Sequence, residues 1–337
     1  MLDDQISATM NNGIIIRRIT DTDAKGLAEL YDRVWPENAG RHLEKTEWAI
    51  KTTEFAGFCA ECDGLIIGSR SCFHTNIYIG QERYTCVQFG DSCVDEEYRG
   101  KGLFSKMNKS FLADFFKTGD EFIYNISVEA SRKAYEKLGW NYVDALSKLL
   151  LIVNPFSFIR KTKGDIRLLS GNITEDYSAI PDISVFPVEL LNHRESLFVD
   201  KGLIHTKYDL DTLLWRVSTD SNMKVWYDAD LGGCIYKTGH KNGLKYCVIG
   251  EVFLVNQRWK NFNRIIRVIC RLNNVDVVET SLCHSHPLYS YYKHSGFICN
   301  PFKRYLNLGV KVSSERMRSL CYNPTNWALS NLDIDTF

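Results

Sequence analysis

Apolar positions along this chain recur with two periods, and the order in which the periods alternate outlines a mixed α/β protein. "GIIIRRIT" reads as a strand, and "DTDAKGLAELYDRVWPEN" as a helix capped by Asp or Thr, with Leu27, Leu30, Tyr31 and Val34 on one face. Pro36 marks its end. "HLEKTEWAIKTT" predicts a second helix, and the stretch from Phe55 to Val94 a meander of strands with turns at Asp63-Gly64 and Gly80-Gln81. A turn bearing two glycines, "YRGKGLFSK", leads into a helix whose buried face carries Leu103, Met107, Phe111 and Phe115, beside Phe104, Leu112 and Phe116. That helix should end near Gly119. "FIYNISV" then predicts a strand and "ASRKAYEKLGW" a helix.

The second half repeats this grammar. "CVIGEVFLVN" echoes "VQFGDSCV", and "SLCHSHPLYSYYKHSGF" echoes "SVEASRKAYEKLGW"; 49 residues separate Gly90 from Gly139, and 46 separate Gly250 from Gly296. Tyr292 takes the place of Tyr135, yet "QRWKNFNRIIRVICRLNN" between the echoes holds no glycine. Between the halves, "NPFSFIRKTKGDIRLLSGNITEDYSAIPDISVF" loses clear periodicity and holds two of the seven prolines. These features predict two domains, 1–155 and 186–337, joined by a linker or crossover over 156–185. The helix bearing Trp215 and Arg216, followed by a hairpin, would open the second; the two side chains serve either its core or the wall of a binding cleft.

Composition narrows the function classes. Forty-one basic residues balance 41 acidic ones, so no overall field recruits nucleic acid or an anionic membrane, although a local patch is compatible with the balance. The expected partner is a small molecule. Eleven cysteines without regular spacing read as reduced thiols of a cytosolic protein rather than a disulfide framework. Cys59 and Cys62 in "CAEC" have the spacing of half a zinc site, but no second half follows, and Cys283 to His286 in "CHSH" read as ordinary polar loop residues. No metal is expected. The polar, acidic opening "MLDDQISATMNNG" is unlike a signal peptide, and no apolar run reaches membrane-spanning length, so a cytoplasmic location is expected.

The glycine turn is where chemistry enters. Glycine reaches positive φ and lets an anion approach without meeting a Cβ, while the first amides of the following helix lack intrahelical partners. A strand, such a turn and a helix together suit a phosphate group, and Arg99, Lys101 and Lys106 add positive charge. A turn of this kind also serves as a tight connection, and this one matches neither GxGxxG nor GxxxxGK[ST]. Asp91 stands out in the preceding strand, because a carboxylate in an apolar run is costly unless hydrogen-bonded or functional. Either role fits the residues.

"VDEEYRGKGLF" resembles the acyl-CoA pyrophosphate loop R/Q-x-x-G-x-G/A of the GNAT acyltransferase superfamily, and "ASRKAYEKLGW" resembles that superfamily's helix ending in Tyr-x-x-x-Gly-aromatic. Phe104 departs from the pattern, where Gly or Ala is usual. The resemblance spans residues 14 to 150 and implies two GNAT-like domains, each a twisted, mostly antiparallel sheet flanked by helices, the C-terminal one degenerate. Domain 1–155 would bind acyl-CoA, and domain 186–337 would bind none and shape the acceptor site.

The resemblance implies pyrophosphate on the amides of Gly100, Lys101, Gly102, Leu103 and Phe104, with Arg99 and the Ser105 hydroxyl beside them. It implies the pantetheine arm along Ser92, Cys93 and Val94, hydrogen-bonded like an added strand. Cys93 would be a small residue beside the thioester rather than a nucleophile. Tyr135 matches the tyrosine that protonates the departing thiolate, with packing in the core as its other reading. A proton acceptor for the amine is also needed, and Asp91 is the first candidate, with Glu129 in reserve; Gln88 stands where some members place a glutamate, and an amide cannot act as base.

Two function classes follow. The chain is an N-acyltransferase using direct displacement, or a CoA-binding module without catalysis. The paired architecture resembles sugar N-acyltransferases acting on dTDP-amino-6-deoxyhexoses for surface polysaccharides; aminoglycosides, peptides and other amines are the alternatives.

Overall fold

A computed structural model describes residues 8–9, 13–40, 42–51, 56–127, 129–169, 173–175, 183, 186–217, 223–300 and 306–334. Cα packing divides the chain into two units that exchange segments. The first comprises Met1–Thr75, Tyr84–Tyr142 and Gly309–Tyr322; the second comprises Asn76–Arg83, Val143–Leu308 and Asn323–Phe337.

The first unit is built on an eight-stranded sheet in the order Ala8–Thr9, Ile14–Arg18, Gly57–Cys62, Leu65–His74, Cys86–Val94, Phe122–Ser127, Asn307–Val312, Asn141–Val143. Strand pairs up to Cys86–Val94 are antiparallel, and Cys86–Val94 runs parallel to Phe122–Ser127. The Leu103–Phe115 helix buries Leu103, Met107, Phe111 and Phe115 against Phe58, Phe89, Ile123 and Trp140. This is the face its i, i+4 spacing predicts. The helix Ala24–Val34 buries Leu27, Leu30 and Tyr31 in a separate cluster with Cys59 and Ile66.

The second unit repeats the plan. Its main sheet runs Thr174–Glu175, Gly232–Lys241, Leu244–Leu254, Val277–Cys283, Leu146–Ile152, Ile298–Cys299, with Met223–Asp228 also paired to Gly232–Lys241. The helix Trp259–Leu272 places Phe262, Ile265, Ile266 and Ile269 in a core with Ile249, Val278 and Tyr292.

The division differs from the expected 1–155, 156–185 and 186–337 in two ways. Leu146–Ile152 pairs with Val277–Cys283 over seven residues, so it belongs to the second sheet, and Asn307–Val312 enters the first. The expected linker also holds a helix, Pro155–Thr162. Its start is locally encoded: the Asn154 side chain accepts from the Ser157 amide at 3.0 Å, and Pro155 takes the first helical position. Phe158 then packs with Leu150, Tyr246 and Val277. The sequence 176–182 in the remainder lies outside the described residues.

Candidate active site

The strand Cys86–Val94 carries most of the candidate residues, and its pairing changes partway along. Parallel register with Phe122–Ser127 extends from Cys86/Phe122 to Phe89/Asn125, leaving Gly90–Val94 outside that ladder. On the other side Ser71 pairs with Gly90 and Ser69 with Cys93, so Asp91 and Ser92 together oppose Arg70. That is a β-bulge, which re-aims side chains where it occurs. Asp91 adopts φ 40°, a region in which a non-glycine residue is strained.

The bulge and its surroundings join several candidates. Lys45 on the helix His42–Lys51 binds the Asp91 carboxylate at 3.0 Å, and the Ser69 hydroxyl donates to the Asp91 carbonyl at 2.9 Å. Tyr31 reaches the hydroxyls of Ser69 and Ser71 at 2.9 and 2.6 Å, and burial pushes its phenol well above the ordinary value. Arg70 is fully buried and bonds the Ser92 hydroxyl, which donates to the Gly90 carbonyl at 3.0 Å. Its guanidinium lies 3.5 Å from the Phe89 ring centre, 5.3 Å from that of Tyr135 and 5.8 Å from that of Phe104.

Tyr135 is 4% exposed and sits among aromatic edges, 5.4 Å from Phe104 and 4.9 Å from Trp140. Phe104 is thereby accounted for: its ring leaves the helix start and packs on Tyr135 and Arg70. Cys93 is buried, and burial pushes its thiol up, against the thiolate a nucleophile needs. Glu129 opens the helix Glu129–Lys137, and Gln88 is buried.

Beyond Val94, a single turn of 3-10 helix over Glu96–Tyr98 is capped by Asp95, which accepts from the Glu97 amide at 3.3 Å and pairs with Arg33 at 2.8 Å. Arg99 donates to the Val94 carbonyl at 3.2 Å, and Lys101 covers the Tyr98 ring at 4.4 Å. Gly100 and Gly102 have φ 79° and 73°, and a Cβ at either would meet nothing within 4 Å. Glycine is needed there for backbone shape, and the space above the turn is open to an anion. Gly102 is the N-cap of the helix and offers no side chain to the amides of Leu103, Phe104 and Ser105.

The equivalent place in the second unit is filled by the chain itself. Leu244–Leu254 runs parallel to Val277–Cys283 from Tyr246/Val277 to Ile249/Thr280. Past that point the C-terminal segment enters: Asn331 donates to the Ile249 carbonyl at 3.0 Å, the Cys283 amide donates to Leu329 at 2.8 Å, and Leu282 bridges Ser330. Glu251, at the position of Asp91, is buried between Arg194 at 2.9 Å and His286 at 3.3 Å. Burial raises this carboxyl, but the charges of His286 and Arg194 outweigh it and hold it at about 2. His286 of "CHSH" therefore contacts the Glu251 carboxylate, and no group of three metal-ligating side chains occurs among the described residues. Arg216 donates to the carbonyls of Leu332 and Ile334, which holds the same segment. The helix Trp259–Leu272 starts from Arg258 at φ −116°, without a left-handed turn.

Sequence reasoning missed Arg70, Lys45 and the bulge. A charged residue inside the apolar run "LIIGSRSCF" was the available signal for Arg70.

This arrangement is that of a GNAT fold. Residues 15–143 match the family model described as an acetyltransferase (GNAT) domain. The match covers 129 of the 337 residues. Solved structures extend the likeness in fold to most of the chain. A GCN5-related N-acetyltransferase from Kribbella flavida aligns over 89% of this chain and 71% of its own at 11% identity, with a TM-score of 0.61. One from Anabaena variabilis ATCC 29413 aligns over 92% and 75% at 8% identity and 0.63. Saccharomyces cerevisiae N-myristoyltransferase with bound myristoyl-CoA aligns over 92% and 85% at 10% identity and 0.57. No curated protein matches the sequence.

Proposed function

We propose that the chain transfers an acyl group from acyl-CoA to the amino group of a dTDP-linked amino-deoxy sugar, with one CoA site, in the first unit. The observation that carries the single site is the contrast between the two sheets. In the first, Gly90–Val94 lies beyond the parallel ladder beside a left-handed glycine turn; in the second, the counterpart is occupied by Leu329–Asn331 and lacks the turn. The sugar acceptor rests on the paired architecture alone.

In this reading the pyrophosphate accepts from the amides of Gly100 through Phe104 and from the Ser105 hydroxyl, with Arg99 and Lys101 adding charge. The pantetheine arm pairs with Ser92–Val94 as an extra strand. The neutral amine attacks the thioester carbon, the C–S bond breaks, and Tyr135 gives its phenolic proton to the departing thiolate. Asp91 receives the proton released by the new ammonium group. Because Asp91 is paired with Lys45, amine entry must compete with that lysine for the carboxylate.

Incubating the protein with acyl-CoA and a panel of amines, reading free thiol and product mass, tests this. Thiol release dependent on a dTDP-amino sugar is expected. Release only with aminoglycosides or peptides would remove the sugar, and CoA binding without acceptor-dependent release would remove catalysis.

A further inference from the structure

We infer that the helix Pro155–Thr162 docks the protein on an anionic lipid surface. The inference is independent of the acceptor and rests on a face the acyl-transfer reading does not use. Phe156 is 87% exposed, Ile159 57%, Ile166 52% and Val153 37%, whereas Phe158 of the same helix is 5% exposed and packed in the core. Single exposed apolar residues are ordinary, but a cluster on one short segment marks an interaction surface.

The helix is amphipathic in an inverted sense. At about 100° per residue, Phe156, Ile159 and Arg160 fall within roughly 100° of one another, and the core side carries Ser157, Phe158 and Thr162. Lys163 closes the helix in a left-handed conformation. Among Arg160, Lys161, Lys163 and Arg167 there is one acid, Asp165, so the segment is basic within a chain of zero net charge. Two of these cations are committed: Lys161 pairs with Asp276 at 2.6 Å and Arg167 with Asp165 at 2.8 Å. Arg160 and Lys163 have no ion-pair partner among the described residues.

Shape and charge together select the occupant. Phe156 stands clear of the surface, so a protein partner would need a matching pocket and an acidic rim, whereas a lipid interface accepts a protruding ring at any point and supplies negative charge around it. The helix is anchored for such a load: Lys161 ties it to Asp276, the Asp276 carbonyl accepts from the Val153 amide at 2.9 Å, and Phe158 is set in the core. No helix among the described residues is long and apolar enough to cross a membrane, so the contact would be peripheral.

Sedimentation of the full chain with vesicles tests this. The wild type should pellet with phosphatidylcholine–phosphatidylglycerol vesicles, remain in solution with phosphatidylcholine alone, and be released by raised salt. The double variant F156S/I159S should bind about tenfold or more weakly while keeping its thiol-releasing activity. The variant R160S/K163S should lose the preference for phosphatidylglycerol. A wild type that stays in solution with the anionic vesicles overturns the inference, as does pelleting unchanged in F156S/I159S. A dimer that F156S/I159S dissociates, without vesicle binding by the wild type, would assign the face to a second copy instead.

Discussion

Replacing Gly102 by alanine separates a phosphate-binding turn from a tight connection. Gly102 has φ 73°, and its added Cβ would meet nothing within 4 Å of the protein. The internal cost is therefore confined to the backbone, about 1–2 kcal/mol for an L-residue in the left-handed region. Gly243, in a hairpin turn of the second unit, provides the matched control: φ is 76°, and a Cβ there also meets nothing within 4 Å. Both variants should lose similar stability. On the proposed site their CoA affinities should differ, because the Gly102 Cβ would stand in the path of a pyrophosphate approaching the amides of the helix start. Losing one charge-assisted hydrogen bond costs about 1.5–3 kcal/mol, which weakens binding from about tenfold to about a hundredfold. Calorimetric titration of the full chain with CoA, beside thermal unfolding of each variant, reads both quantities. If G102A is destabilised like G243A yet binds CoA as the wild type does, the turn is only a connection and the site assignment falls with it.

Tyr135→Phe should lower turnover by about tenfold or more with little change in packing, since only a hydroxyl is removed from a buried ring; steady-state thiol release at wild-type rate would take Tyr135 out of the mechanism. Asp91→Asn should flatten the rise of kcat/KM toward basic pH, and a profile that keeps the wild-type rise would dismiss Asp91 as base. Glu121 offers a stability test: burial raises its carboxyl, but the amides of Thr118 and Lys117 and the Thr118 hydroxyl outweigh this and hold it at about 2. Because the native value lies below the ordinary 4.5, its stabilisation is complete above that pH and lost as pH falls toward 2, by at most about 3 kcal/mol; E121Q should remove that part of the acid dependence of the unfolding midpoint.

Much of the fold was legible because local pattern and tertiary role agree. Leu103, Met107, Phe111 and Phe115 repeat every four residues, and the structure buries all four. Asp63-Gly64 takes positive φ at both positions, as a tight hairpin requires. The helix Pro155–Thr162 was harder to read, because its outward face carries Phe156 and Ile159 and so breaks the polar-out periodicity that marks a helix. The strand exchange was illegible for another reason: Leu146–Ile152 and Asn307–Val312 look like strands, but nothing local states which sheet completes each ladder. The bulge was hidden in the same way. "GDSCV" reads as uninterrupted strand, and only the register with Ser69 and Ser71 reveals that Asp91 and Ser92 share one partner.

The paired halves bear on why, on the proposed reading, a fold that appears twice should carry chemistry once. Ending a parallel ladder early leaves backbone amides and carbonyls facing a gap, and buried groups of that kind must find partners. In the second unit the partners are permanent: Asn331 serves the Ile249 carbonyl, Leu329 accepts from Cys283, and Glu251 is paired with Arg194 and in contact with His286. Removing any of these, for instance by Arg194→Met, would leave a charge or a dipole buried without compensation, a cost of about 3–5 kcal/mol for the carboxylate. That half is thus committed to its own C-terminal segment by satisfied bonds. In the first unit the corresponding carboxylate, Asp91, has a partly exposed lysine as partner, at 39% side-chain exposure, which can exchange its contact for solvent or an incoming amine. On the proposed reading, a reversible partner on one side and an open left-handed turn on the other serve a transient strand-like ligand, and at the matching place the second unit has a buried ion pair and a helix start without a left-handed turn.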